Sequence, residues 1–148
     1  MSILDLLAGV LSIACVISGF VALGLRLQAS LGWGVLSRRY RSEVWPPEGV
    51  RVEWQSLGVG AVRYLFTIEA VVTDQRLFLW RQKGFRLFHP PVSVPWTDIR
   101  TRRGVLVGMR VALKKGGSFT AYGDLADAIE KAAHVPSASE VGRRTRQG

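Results

Sequence analysis

Hydrophobic and polar positions follow three different rhythms along this chain, and each predicts a different kind of element. From Ile3 to Leu25 (ILDLLAGVLSIACVISGFVALGL) there is no alternation: every position is apolar or small except Asp5. As a helix this stretch reaches about 34 Å, enough to cross a hydrocarbon core of about 30 Å with some tilt. The pattern then changes to SLGWGVLSRRYR, in which Leu31, Trp33, Leu36 and Tyr40 fall at helical spacings and Ser30 can cap the first turn. A short amphipathic helix is predicted there, weakened by Gly32 and Gly34 so that a kink or break after the span is expected. Trp45-Pro46-Pro47-Glu48-Gly49 ends it, because two prolines forbid continuation and the glycine supplies a turn.

Beyond that point the period becomes two. Val50, Val52 and Trp54 alternate with Arg51, Glu53 and Gln55, as in a strand with one buried face. Val62 to Phe66 and Ile68 to Val72 predict either two strands or one bent one. After the turn Thr73-Asp74-Gln75 comes the strand RLFLWR, Arg76 to Arg81, with Gln82-Lys83-Gly84 placed to close a hairpin. Val92, Val94 and Trp96 mark a strand that Pro95 restricts to an edge or a bulge. Val105 to Leu113 and Phe119 to Tyr122 flank Lys114-Lys115-Gly116-Gly117, a hairpin signal. In DLADAIEKAA, Asp124 to Ala133, one face carries Leu125, Ala128, Ile129 and Ala132 behind an acidic first turn, which predicts a closing helix. The remainder, with Arg143, Arg144 and Arg146, is polar and basic with nothing to bury, and disorder is expected.

The predicted organisation is an anchor over 1–27, a juxtamembrane helix and proline linker over 28–47, a β domain with its closing helix over 48–134, and a tail over 135–148. The fold class is α+β: a single transmembrane helix, then an antiparallel sheet that curls into a barrel which the last helix plugs. A secretory signal peptide fits the apolar run poorly, since no Lys or Arg precedes it and it ends in Leu25-Arg26-Leu27-Gln28 without a small-x-small cleavage site. A soluble core helix is excluded by the size of the domain that would have to cover it on every face. Arg26, Arg38, Arg39 and Arg41 all follow the span, so the positive-inside rule places the C-terminal domain in the cytoplasm, the N-terminus outside, and the protein in the inner membrane. Asp5 then sits at the outer interface, near the positive end of the helix dipole.

Charge and cysteine content narrow the chemistry. The 148-residue chain has 20 basic and 11 acidic residues, which points to an acidic partner, and the membrane surface is the nearest one. Its one cysteine, Cys15, lies in the span, so neither an intrachain disulfide nor a cysteine-rich metal site is possible. Ala14, Ser18 and Ala22, four residues apart in the span, form a stripe through which two copies could pair, a pattern that also arises by chance in lipid-facing helices.

Two stretches resemble the bacterial pleckstrin-homology-like and GRAM-type domains: VVTDQRLFLW, Val71 to Trp80, and VSVPWTDI, Val92 to Ile99. HPPVSVPWTDI, with GWGVLSRRY upstream, is also similar to a group of uncharacterised small bacterial membrane-anchored proteins. The resemblance covers about Ser30 to His134 and implies a seven-stranded split barrel with a C-terminal helix. It implies no activity, because such folds serve as lipid-binding, peptide-binding and assembly modules alike. On architectural grounds Asp74 is a turn cap, Pro90 and Pro91 stiffen a corner, and Trp96 and Ile99 are core.

Catalytic signatures are absent from the sequence: there is no phosphate-binding glycine loop, HExxH or nucleophile elbow, and His89 and His134 are the only histidines. Glu53, Glu69 and Asp74 have no spacing that demands a carboxylate site. No catalytic, cofactor or metal residue is therefore predicted, and no cofactor. The expected function is a binding or scaffold module at the membrane's cytoplasmic face, engaging a protein partner, anionic lipid headgroups or both. A membrane-tethered enzyme or accessory subunit is the alternative. The candidate lipid-facing residues are Arg38, Arg39, Arg41, Trp33 and Tyr40, with the two aromatics either in the headgroup layer or packed on the domain. Lys83, Arg86, Arg102, Arg103, Lys114 and Lys115 form secondary basic turns. The clusters Arg81, Lys83 and Arg86, then Arg100, Arg102 and Arg103, then Lys114 and Lys115, with Trp80, Phe85 and Phe88 near the first, could hold a single nucleic-acid strand, but the anchor makes lipid phosphate the nearer polyanion.

Overall fold

The computed structural model describes residues 3–44 and 48–134; the linker prolines Pro46 and Pro47 and the basic tail 135–148, expected to be disordered, lie outside the described residues. Helix α1, Ile3–Gln28, buries none of its residues. Leu7, Ile13 and Phe20 are each more than half exposed. It is thus an isolated apolar rod, long and apolar enough to cross a membrane. The stripe Ala14, Ser18, Ala22 lies on this uncovered rod.

No break follows the span. The chain passes through a π-helical turn, Ala29–Trp33, into α2, Gly34–Tyr40, so that Ile3 to Tyr40 is one continuous helix. The expected capping by Ser30 is therefore corrected: with no helix start there, its hydroxyl bonds back to the Leu27 carbonyl at 3.0 Å. The expected lipid exposure of Trp33 and Tyr40 is corrected as well, since they are 0% and 4% exposed within the domain core. Up to Tyr40 the segment 28–47 belongs to the folded domain rather than to a linker, because its apolar stripe is what closes one side of the barrel.

Seven antiparallel strands form one sheet: β1 Val50–Val59, β2 Val62–Val72, β3 Arg76–Arg81, β4 Val92–Pro95, β5 Ile99–Val105, β6 Gly108–Leu113 and β7 Ser118–Ala121. Their order is β4-β3-β2-β1-β7-β6-β5. The first strand pairs with both β2 and β7, which curls the sheet into a nearly closed barrel. Sharp coiling requires local irregularity, and β1 supplies it where its register against β2 shifts twice between Val52 and Leu57. Trp54 and Phe66 take left-handed backbone angles at that bend, φ 56° and 50°. The two predicted segments of Val62 to Val72 are thus one bent strand. Val105 to Leu113, read from its apolar run as one strand, is instead two strands reversing at Leu106 and Val107. Pro95 ends β4, an edge strand, as its missing N–H requires. The other edge, β5, carries Arg100, Arg102 and Arg103, charges that discourage edge-to-edge pairing.

A helix seals each end of the β1–β2 hairpin. Helix α3, Asp124–His134, inserts Leu125 and Ile129, both fully buried, and its first turn is tied to β1 by the Leu125 amide donating to Gln55 Oε1 at 3.1 Å. At the hairpin's turn, α2 and the π-helical turn insert Trp33 and Leu36 against Leu57, Val59 and Tyr64. One apolar cluster, including Trp96 and Ile99 at its margin, runs between the two plugs.

Candidate functional site

The junction between span and barrel is built around Tyr64. Its hydroxyl accepts a hydrogen bond from the Trp33 amide at 2.9 Å and donates one to the Gln28 carbonyl at 2.9 Å. A side-chain oxygen thus stands inside the helical ladder, which accounts for the π-helical turn at this point. The hydroxyl can enter only because residue 32 is glycine: a Cβ there would lie 2.7 Å from Tyr64 Oη and 2.8 Å from Val62 Cβ. Gly60, at φ 58° in the β1–β2 turn, lets that turn approach the Leu31 carbonyl. Trp33 Nε1 donates to the Pro90 carbonyl at 2.7 Å, and the Ser42 amide donates to Pro91 at 2.9 Å, so the two prolines receive the helix.

His89, 1% exposed, packs edge-on to both Trp33 and Tyr64, with ring centroids 5.9 and 5.7 Å away. Its Nδ1 lies 2.6 Å from the Leu87 carbonyl, which fixes that nitrogen as the protonated one, and Nε2 faces Arg81 Nη1 at 3.4 Å. Burial lowers its pKa; the Leu87 bond opposes the shift and Arg81 adds to it. Burial likewise raises the Tyr64 pKa, against the Trp33 hydrogen bond and Arg81. This histidine closes the Arg86–His89 turn with its amide, 2.9 Å from the Arg86 carbonyl, and its ring is a structural element of the junction.

Arg81, at the end of β3, is 4% exposed. Its guanidinium lies over the Tyr64 ring at 5.1 Å and the Phe85 ring at 4.9 Å, and Nη2 donates to Thr67 Oγ1 at 3.3 Å. Nε has no hydrogen-bond partner, and no carboxylate among the described residues forms an ion pair with the group. Burial lowers its pKa, with Tyr64 opposing. The sequence groups Arg81 with Lys83 and Arg86 as a basic turn near Phe85; its burial against Tyr64, a β2 residue, is what only the fold brings about.

The predicted basic positions separate into four places. Lys83 and Arg86 lie in the β3–β4 loop beside Arg81, with Arg86 Nε donating to the Arg81 carbonyl at 3.0 Å. Lys114 and Lys115 form the β6–β7 turn beneath α2: Lys115 pairs with Asp98 at 3.3 Å and lies 5.5 Å from the Tyr40 ring. Arg102 and Arg103 are exposed on the edge strand β5. Arg38, Arg39 and Arg41 are exposed at the far end of the continuous helix, and Arg38 is about 18 Å beyond Arg26 at 1.5 Å per residue. That exceeds the screening length of about 8 Å at physiological salt, which separates these arginines from the end of the span.

The carboxylates considered for catalysis are occupied otherwise. Glu69 accepts from Trp80 Nε1 at 2.6 Å and pairs with Arg51, which also holds Glu53. Thr73, rather than Asp74, caps its turn: Thr73 Oγ1 accepts the Arg76 amide at 2.9 Å. Asp74 instead joins Asp124 and Asp127 around a groove of about 520 Å³ between α3 and the open end of the β1–β2 hairpin, floored by Val50, Val52, Val72 and Ala128. Three of the chain's 11 acids and one base, Lys131, thus line one apolar depression, leaving it net acidic on a protein of net charge +9. Among the described residues there is no cluster of His, Cys, Asp and Glu fit to hold a metal ion. No protein-family model, curated protein or solved structure matches this chain.

Proposed function

We propose that this chain is a membrane-anchored docking module: a pleckstrin-homology-like barrel held at the cytoplasmic face, which presents its distal groove to a protein partner. The observation that carries this reading is the unbroken helix from Ile3 to Tyr40, locked to the barrel by Tyr64. A domain on a flexible tether samples all orientations, whereas one whose anchor is also a core element holds one pose. Supporting the barrel assignment are the seven-strand order, the bent first strand shared by both halves, and the C-terminal helix.

The groove opens at the Val50–Val72 end of the hairpin, up to about 30 Å along β1 from the turn that meets the span, at 3.3 Å per strand residue. It therefore faces away from the bilayer. Its apolar floor and acidic rim suit a segment that is apolar on one face and carries Lys or Arg beside it. The test is binding of two designed amphipathic peptides of equal apolar face, one flanked by lysines and one by glutamates, to full-length protein in nanodiscs. The lysine peptide binds, salt weakens it, and Asp127→Lys weakens it further. Equal binding of the two peptides, or no effect of Asp127→Lys, rejects the groove as the docking site. Orientation is checked separately by reporters fused after His134, which are active on the cytoplasmic side only.

A further inference from the structure

We infer that the β3–β4 loop is a second membrane attachment, in which Phe85, Leu87 and Phe88 enter the acyl–headgroup boundary and Lys83 and Arg86 face lipid phosphates. This goes beyond the docking role and is independent of what the distal groove holds. Five observations converge on the loop. First, it is level with the end of the span: Tyr64 bonds the Gln28 carbonyl, His89 and Arg81 both lie against the Tyr64 ring, and Phe85 lies against Arg81. Gln28 is two residues past Arg26, about 3 Å along the helix, whereas the headgroup layer is about 5–8 Å thick. Second, the loop exposes Phe85 by 42%, Leu87 by 55% and Phe88 by 47%, three large apolar side chains that the core does not use. Third, Phe88 holds a left-handed backbone angle, φ 61°, a strained conformation for a bulky residue. Fourth, Lys83 and Arg86 alternate with these apolar residues, the mixture found on surfaces that lie in the membrane interface. Fifth, Arg81 is a buried cation with an unpartnered Nε and no carboxylate among the described residues to balance it. Anionic headgroups outside the loop balance that charge at a distance rather than by contact, since Phe85 covers the guanidinium.

On the anchor reading of α1 a bilayer already lies at the level of this loop, and it is the surface that the exposed phenylalanines and leucine meet. The juxtamembrane arginines, by contrast, stand too far along the helix to compete for this role. With two attachment points, span and loop, the barrel is fixed in tilt as well as in position.

The experiment uses the full chain in a Cys15→Ser background, reconstituted into vesicles with and without phosphatidylglycerol. Environment-sensitive probes are placed singly at Phe20→Cys, Phe88→Cys and Glu130→Cys, and shallow acyl-chain quenchers are added. The expected result is strong quenching at 20, several-fold stronger quenching at 88 than at 130, and an increase at 88 with anionic lipid. Replacing Lys83 and Arg86 by Gln removes that increase, while replacing Arg38, Arg39 and Arg41 by Gln leaves it in place. All these side chains are at least partly exposed, so folding is retained and is checked by the melting transition. Quenching at 88 no stronger than at 130, with 20 quenched, overturns the loop attachment and leaves the anchor standing. No quenching at 20 overturns both.

Discussion

Tyr64→Phe isolates the contact that joins the long apolar N-terminal helix to the folded domain. The ring and its packing against Trp33, at 5.6 Å and nearly perpendicular, are retained. Only the oxygen is lost, and with it the bonds to the Trp33 amide and the Gln28 carbonyl. Each is worth about 1 kcal/mol net, and more if the exposed backbone group stays buried and unmet. The helix can partly reclose its ladder, so the expected loss is about 2 kcal/mol. For a domain of about 100 residues that lowers Tm by about 8–16 °C. The assay is thermal unfolding of the full-length protein in nanodiscs, read by tryptophan fluorescence, since Trp33 and Trp80 are both buried. Tyr40→Phe is the comparator: its hydroxyl accepts a single bond, from the Lys115 amide at 3.4 Å, and its removal costs less than about 1 kcal/mol. Hydrogen exchange at the Trp33 amide adds a local readout and accelerates in Tyr64→Phe alone. If the two phenylalanine variants melt together and the Trp33 amide stays protected, the hydroxyl is not what joins span to barrel.

Three other outcomes follow from the same packing. Gly32→Ala drives a methyl into Tyr64 and Val62 and destabilises by about 1–3 kcal/mol, whereas Gly19→Ala, with nothing within 4 Å, leaves the melting curve unchanged; equal curves refute the close approach. Ile129→Asp places an unpaired charge in the seam beneath α3 and costs several kcal/mol, while exposed Glu130→Gln is neutral, as chemical denaturation measures. His89 has a folded pKa below its ordinary value of about 6.5, so the unfolded chain binds the proton first. Its contribution to stability is complete above about pH 6.5 and declines as pH falls through the folded pKa, so Tm drops on acidification and His89→Gln flattens that slope. An unchanged slope in the variant assigns the acid sensitivity to other groups.

Local rules were enough to read the long apolar N-terminal helix, the seven strands up to one hairpin, the edge position of β4 and the apolar face of α3. Each depends on periodicity within one segment, and burial of a segment's own stripe leaves its mark in that segment. The errors share a different origin. Trp33 and Tyr40 carry the same aromatic chemistry whether they face headgroups or a barrel opening, and only the return of β2 and the β3–β4 loop to α2 decides between them. Gly32 read as a weakness in a helix because its reason, the hydroxyl of Tyr64, is 32 positions away. Arg38 stands 12 positions beyond Arg26 in sequence, and the continuous helix makes that about 18 Å along its axis, a distance that sequence spacing alone does not give. The Leu106–Val107 reversal hid inside an apolar run, since nothing in a run of valines and leucines says which residues stay in water. The buried setting of Arg81 and the acid-rimmed groove were illegible for the same reason: each gathers residues from several elements, and charge balance in a buried place is settled by neighbours that chain order does not name.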